Sequence, residues 1–378
     1  MAITVSDGVL NILNVFYQNG FEAYIVGGAV RDSVMEKTPH DYDIATNALP
    51  QQVKKLFSRT IDTGISHGTV TVIDNNVGYE VTTYRSEDNY SDSRHPDKIS
   101  FVSNICEDLK RRDFTINAMC YSPKDGVCDY FGGLPDIAAR LIRTVGNPIE
   151  RFSEDALRML RAVRFSVVLG FEIESETAAA IKKCAPLILK ISKERILGEL
   201  NKIILSEHPE RIIKLYELGL LHYIIPELEK CFSTPQKNKY HIYNVGEHIV
   251  NATAYSENDL ILRWATLLHD IGKPQCSSTD SNGVIHFYGH HYISSKLANE
   301  ILHRLRMDSD SIREITLLIE NHDIRIEPSP PAVKKILAKL GDNLFIKLLK
   351  LQAADNKAKS QLYIDEKLKR VIERCPDF

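Results

Sequence analysis

The sequence predicts an α+β chain: a mixed head built on a small sheet, followed by an all-helical neck and body. Three observations carry this expectation. Up to about residue 145, β-type runs (GTVTVI, YEVTTYR, KISFV, INAMCYS) alternate with helical ones. After Gly146-Asn147-Pro148 apolar residues recur at three- and four-residue spacing almost to the end. The length, 378 residues, exceeds what one compact core holds, so about two to four domains are expected. The expected division is 1–145, 146–235 and 236–378.

Taken in order, the first element is an amphipathic helix (Val9, Leu10, Leu13, Phe16, Tyr17) leading into a strand at AYIVGG. Gly27 and Gly28 follow that strand and open a helical run, where backbone N–H groups can approach a triphosphate. Arg31 lies on that run and can pair with phosphate. Asp41 and Asp43 flank Tyr42 on an expected strand, which would aim both carboxylates to one side. Two hard oxygen ligands side by side suit Mg²⁺ ions and in-line displacement at phosphorus. Glu80, in YEVTTYR, is either a third acidic group beside that pair or a structural strand residue. The polar stretch SEDNYSDSRHPD reads as a flexible loop. Beyond residue 150, helix breaks are expected near Pro186, Pro226, Pro235 and Pro328-Ser-Pro-Pro. No internal repeat is evident.

Composition narrows the class. Hydrophobic residues make up 43% and charged residues 26%, as in ordinary globular proteins. There is no run of about 18 apolar residues to span a membrane. The N-terminus MAITVSDGVLNIL has no basic n-region and does not read as a signal peptide. Seven cysteines, odd in number and without CxxC spacing, suit a reducing cytoplasm rather than a disulfide framework or a cysteine zinc site. The net charge of −3 argues against a uniformly basic nucleic-acid binder. Yet Arg140, Arg143, Arg151, Arg158, Arg161 and Arg164 gather within 140–164, so a basic cleft on a neutral body is compatible with it.

In NPIERFSEDALRMLRAVRFS (147–166), Glu154, Asp155 and Arg158 are expected within one helical turn, with Arg161 and Arg164 continuing the stripe. A carboxylate accepts from the exocyclic amine shared by cytosine and adenine, and a guanidinium donates to ring nitrogen or carbonyl. Guanine and uracil present a carbonyl where the carboxylate needs a donor, and would leave polar groups unpaired. An exposed helix with i,i+3 ion pairs is the alternative reading.

Gly-Gly-x-Val-Arg-Asp followed by Asp-x-Asp, in GGAVRDSVMEKTPHDYDIAT (27–46), resembles the class II tRNA nucleotidyltransferase and bacterial poly(A) polymerase family. The resemblance implies a polymerase β-type nucleotidyltransferase head. RRDFTINAM (111–119) resembles that family's second motif, implying that Arg112 and Asp113 place the nucleotide's sugar. DYFGGLPDI (129–137) resembles its hinge, and ISKERILGELNKII (191–204) its neck helices. YRSEDNYSDSRHPDKISFV (84–102) resembles its flexible loop, whose full length implies an enzyme able to add A. On the same ground Asp155 and Arg158 form a protein template choosing C or A.

Further on, His248, the pair His269–Asp270 with a following Gly-Lys, His290 beside His291, His322 and Asp355 place imidazoles and carboxylates on several helices. Such convergence makes a transition-metal site. The ordered series resembles an HD-type metal-dependent phosphohydrolase domain. It implies His248, His269, Asp270 and Asp355 as inner ligands, with His290 and His322 on a second metal or on phosphate.

The expectation is a CCA-adding tRNA nucleotidyltransferase using CTP, ATP and Mg²⁺, cytoplasmic, with a divalent transition metal in the HD site. Asp41 and Asp43 would be catalytic and hold Mg²⁺. Gly27, Gly28, Arg31, Arg112, Asp113, Glu154, Asp155, Arg158, Arg161 and Arg164 would bind the nucleotide. Lys182, Lys183, Lys190, Lys193 and Arg195 would grip the tRNA acceptor arm, or form a solvated face. The alternatives are a poly(A) polymerase, an A-adding or CC-adding partial enzyme, or an HD phosphohydrolase with an RNA-binding head. The oligomeric state is left open.

Overall fold

The computed structural model describes residues 3, 5–88, 98–236, 243–326 and 329–359. Of the expected loop 86–97, residues 89–97 fall outside them, as does Pro328, while residues 86–88 lie in a strand rather than a loop. By Cα packing the chain divides into two compact units. The first is Met1–Ala162 with Gly170–Lys190, and the second Val163–Leu169 with Ile191–Phe378.

The first unit is organised on a seven-stranded sheet. Its strands are β1 (Ala23–Val26), β2 (Asp43–Thr46), β3 (Thr60–Gly64), β4 (Thr69–Asp74), β5 (Val77–Thr83), β8 (Met119–Ser122) and β9 (Gly126–Asp129). The spatial order is β3-β4-β5-β2-β1-β8-β9. β2 runs parallel to β5 and antiparallel to β1, so Asp43 stands in register between Glu80 and Val26. β6 (Arg85–Asp88) and β7 (Lys98–Phe101) form a separate ribbon.

Helix α1 (Asp7–Gln18) buries Val9, Ile12, Leu13 and Phe16, whose spacing puts them on one stripe against the sheet core. α2 (Gly28–Val34) follows β1 directly. Gly27 makes this turn at φ 73°, a conformation that suits glycine. α3 (Pro50–Leu56), α4 (Ile105–Lys110) and α5 (Gly133–Ala139) complete the head. Gly133 is fixed by contact: a Cβ there would come within 2.5 Å of the Thr115 carbonyl oxygen.

α6 (Pro148–Glu154) and α7 (Leu157–Leu169) come next. Asn147 caps α6 by accepting from Ile149 N and Glu150 N, and Pro148 occupies its first turn. α8 (Ser175–Cys184) follows, capped by Glu174. A two-residue parallel pair, β10 (Leu141–Ile142) with β11 (Glu172–Ile173), joins these segments.

The second unit is helical, as the 3.6-residue periodicity predicts. It runs through α9 (Lys193–Ile204), α10 (Ile213–Glu217), α11 (Leu221–Ile224), α12 (Pro226–Phe232), α13 (Val245–Tyr255), α14 (Leu260–Leu268), α15 (His290–Arg304), α16 (Ser309–Asn321) and α17 (Pro330–Lys357). Periodicity did not foretell one small hairpin, β12 (Ser277–Thr279) with β13 (Ile285–Phe287). α17 breaks its own course at Gly341 (φ 73°, ψ 168°). Trp264 on α14 is fully buried and donates its indole N–H to Asn201 (2.8 Å). Among the described residues no helix is long and apolar enough to cross a membrane.

Candidate functional site

In the head, the β1–α2 turn and the start of β2 face each other. The expectation that Asp41 and Asp43 share a strand is corrected: β2 begins at Asp43, and Asp41 lies in the segment before it. The ladder pairs only from Asp43, opposite Val26, the last residue of β1. Asp43 nevertheless feels both Asp41 and Glu80. Partial desolvation raises its pKa, Asp41 and Glu80 raise it further, and the Arg112 guanidinium counters them. Two like charges and one guanidinium acting on Asp43 leave an excess of negative charge there, which suits a divalent cation.

Arg112 completes this corner. Asp108, buried within α4, holds its Nη2 at 3.3 Å. Its Nη1 is 3.1 Å from where a Gly27 Cβ would stand, and Asp43 Oδ2 is 3.8 Å from the same point. The Arg112 Nε is buried with no hydrogen-bond partner among the described residues, a donor that an anionic ligand would satisfy. Gly27 therefore leaves room for Arg112, and any side chain there would crowd it.

Arg31 folds back so that its Nη2 stands 3.5 Å from the Gly28 Cβ position, and it pairs with Asp32. Its Nη1 also donates to Asn117 Oδ1 (2.7 Å), and Asn117 Nδ2 donates to Asp113 Oδ1 (3.3 Å). Asp113 in turn accepts from Arg161 Nε (2.7 Å) and from Phe114 N (2.8 Å). Asp113 is thus turned inward and anchors Arg161. Burial opposes its charge, but Arg161 prevails and holds its pKa at about 2. The chain Arg31–Asn117–Asp113–Arg161 ties α2 to α7 by continuous hydrogen bonds.

Glu154, Asp155 and Arg158 do not occupy one helical turn. α6 closes at Glu154, and Asp155 has extended backbone angles (φ −138°, ψ 103°). Its carboxylate accepts from Leu157 N (3.0 Å), so it caps the helix that follows. An aspartate next to unsatisfied N–H groups favours this over continuing a helix. Arg158 pairs with Glu154 and donates to the carbonyls of Arg151 (3.3 Å) and Arg111 (3.1 Å). Glu154 also pairs with Arg151 (2.6 Å). Arg164, at the expected three-residue spacing from Arg161, pairs with Glu199 of α9 (2.6 Å). Arg158, Arg161 and Arg164 are thus each held by an acid within the protein.

In the second unit the histidines and aspartates converge as the spacing suggests. His248 (α13), His269 and Asp270 (after α14), His290 (α15), His322 (after α16) and Asp355 (α17) come from five helical segments. Asp270 lies between two groups. Its Oδ2 is 3.4 Å from His248 Nε2 and 3.2 Å from His269 Nε2, while its Oδ1 is 3.2 Å from His290 Nε2 and 3.7 Å from His322 Nε2. Asp355 Oδ1 stands 3.0 Å from His248 Nε2 and 3.6 Å from His269 Nε2.

The tautomers follow from backbone partners. His269, His290 and His322 each direct Nδ1 at the carbonyl three residues back, Thr266 (2.7 Å), Phe287 (2.8 Å) and Ile319 (2.7 Å). A carbonyl only accepts, so Nδ1 carries the proton and Nε2 presents its lone pair inward. His290 Nε2 and His322 Nε2 face each other at 3.2 Å, an approach met either by one ring donating a proton to the other or by a cation held between them. His269 Nε2 is buried with no hydrogen-bond partner among the described residues. Burial disfavours charge on His269, but Asp270 and Asp355 outweigh it and push its pKa up to about 10. Burial, with His269 adding to it, pushes His322 down to about 3. Without a metal the acids draw a proton onto one ring, and a divalent cation would serve them better. Two sets, His248–His269–Asp270 and Asp270–His290–His322, have their ligand atoms within 4.8 Å of one another.

Sequence reasoning missed the residues that hold these groups in place. Lys273 Nζ pairs with Asp270 and donates to Gln236 (2.9 Å), while Lys359 Nζ pairs with Asp355 (2.7 Å). Lys273 was visible only as part of the Gly-Lys signature. Asn117, Asp108 and Glu199 carried no signal, because their partners are distant in sequence.

Three segments match known families: residues 23–143 the poly(A) polymerase head domain, 170–232 the probable RNA- and SrmB-binding site of polymerase A, and 239–357 the HD domain. A CCA-adding enzyme of Limosilactobacillus reuteri is 46% identical over 237 residues, 62% of this chain and 59% of that protein. One of Lactiplantibacillus plantarum is 52% identical over 198 residues, 52% of this chain and 49% of that protein. The chain thus spans between half and three fifths of the length of these curated relatives. The crystal structure of the Bacillus stearothermophilus CCA-adding enzyme in complex with CTP is similar at TM-score 0.69 and 32% identity, over 98% of this chain and 82% of that one. With that identity and coverage, the chain belongs to the class II tRNA nucleotidyltransferase and bacterial poly(A) polymerase family and carries an HD domain.

Proposed function

We propose that this protein is a CCA-adding tRNA nucleotidyltransferase, transferring C, C and A from CTP and ATP to tRNA 3′ ends without a nucleic-acid template. The observation that carries the reading is the corner formed by Gly27, Asp43 and Arg112. There a glycine turn, the Asp43 carboxylate with its raised proton affinity and a guanidinium nitrogen with no hydrogen-bond partner among the described residues meet. Gly28 N–H, Arg31 and Arg112 hold the triphosphate. Asp41 and Asp43, with Glu80 beside them, would hold Mg²⁺, which would supply charge stabilisation for the attacking and leaving oxygens. The tRNA 3′-hydroxyl oxygen bonds to the α-phosphorus, the α–β bridge breaks, and pyrophosphate leaves. Asp155 and Arg158 read the amine edge of C or A, while Arg161 and Arg164 orient α7 through their buried acids. Lys182, Lys183 and Lys190 in one unit, and Lys193 and Arg195 in the other, contact the acceptor arm. The working division is head 1–145, neck 146–235 and HD body 236–378, in a cytoplasmic enzyme.

The test offers tRNAs ending before the first C, before the second C and before A, with labelled CTP or ATP, and reads product length. Full CCA addition is expected. Incorporation of A alone, of CC alone or of long A tails selects one of the partial or poly(A) enzymes, and no incorporation removes the reading. A second reading rests on the histidine–aspartate cluster: a phosphohydrolase using a divalent transition metal held by His248, His269, Asp270 and Asp355. In its pure form the head only binds RNA, and hydrolysis survives Asp41→Ala.

A further inference from the structure

The ligands of the histidine–aspartate cluster are shut away from water. The side chains of His248, His269, Asp270 and His322 are 0%, 1%, 2% and 4% exposed. A site built this way needs a route for its cation. Two ligands touch the surface, Asp355 (14%) and His290 (12%), and their surroundings differ in charge. On the Asp355 side Lys359 pairs with the carboxylate at 2.7 Å, an ammonium that repels a cation approaching that ligand. On the His290 side stand His291, half-buried, and Asp323, exposed.

His290, His291 and Asp323 bring their ligand atoms within 4.8 Å of one another. The His291 Nδ1 is buried with no hydrogen-bond partner among the described residues. Asp323 lies just past the C-terminus of α16, the end whose carbonyls favour positive charge. The arrangement pairs neighbours with neighbours: His290 and His322 look inward, 3.2 Å apart, while His291 and Asp323 form the rim.

We propose that His291 and Asp323, with His290 shared, form a metal-loading site at the rim of this centre. The proposal rests on the reading of the cluster as a metal centre. A divalent cation is captured by the rim triad, with water completing its coordination. It then exchanges His291 and Asp323 for His322 and Asp270 while keeping His290. No electron moves and no covalent bond breaks beyond metal–ligand exchange. Because His290 belongs to both groups, the transfer is an exchange of two ligands around one retained histidine rather than a release into the interior.

The test uses the full chain, stripped of metal, with Asp43→Asn to quiet the head, and follows Co²⁺ uptake by visible absorption in a stopped-flow instrument. His291→Ala and Asp323→Asn, on separate segments, should each slow uptake about tenfold, the lower range of electrostatic steering, and leave the final amplitude unchanged. Unchanged rates in both folded variants overturn the proposal. So does a reduced final amplitude, which would make the rim residues part of the resident centre. Absence of Co²⁺ uptake by the parent protein removes the metal-centre reading itself, and the proposal with it.

Discussion

The head corner and the histidine–aspartate cluster both gather acids, and they balance them in opposite ways. At the head, Asp41 and Asp43 are exposed, and Asp43 feels two further carboxylates, Asp41 and Glu80, against the Arg112 guanidinium. In the cluster Asp270 is buried, Asp355 is mostly so, and both are already matched by Lys273, Lys359 and the His269 ring. The exposed corner can stay short of positive charge because water screens its acids until a ligand arrives. The buried cluster has no such screening, so every negative charge needs an internal partner before any ion binds. The difference suits a site whose nucleotide comes and goes, set against one whose metal stays.

The sharpest way to break this comparison is to remove one acid from each site. Asp43→Ala should lower nucleotide incorporation about a thousandfold or more, as expected when a metal-holding acid is lost, and leave phosphoester hydrolysis untouched. Asp270→Ala should do the reverse. Parallel extension and hydrolysis assays on the two variants check it, and loss of both activities in either would show that the sites are not independent.

A smaller effect tests whether the head's own buried acid obeys the rule seen in the cluster. Arg161→Ala leaves the Asp113 carboxylate buried without its cation, which should cost about 3 kcal/mol in urea unfolding. A loss below about 0.5 kcal/mol, the usual effect of a surface substitution, would mean that the ion pair is dispensable.

The smallest effect is in pH. The folded pKa of Asp113, about 2, lies below its ordinary value of 3.8. Its contribution to stability is therefore fully present above about pH 4 and is lost as pH falls through about 2, amounting to about 2 kcal/mol. Asp113→Asn should flatten that part of the acid unfolding profile. An unchanged profile would place the titrating group elsewhere.

The two regions also differ in how much could be read from the sequence. The histidine–aspartate set was legible because each ligand sits at or beside a helix end whose periodicity is plain, and the rings need only converge. The Gly-Gly turn and the paired aspartates were legible because glycine at positive φ and clustered carboxylates are unusual enough to register. The segment at 154–158 was misjudged. Helical spacing alone puts Asp155 on the face of Arg158, but capping of Leu157 N breaks the helix between them. The roles of Asp113, Asp108 and Glu199 were out of reach, because their charge partners are set by packing.

By itself the sequence determined the α+β head, the helical remainder, the glycine turn and the residues that can hold metal. These follow from local periodicity, backbone permission and side-chain chemistry, which a neighbourhood of a few residues decides. Only the tertiary structure decided which arginines are held by internal acids, which nitrogen of each histidine faces inward, and which lysines neutralise the buried carboxylates. Those outcomes depend on burial and on charges brought together across long stretches of chain, where desolvation makes every unpaired group costly.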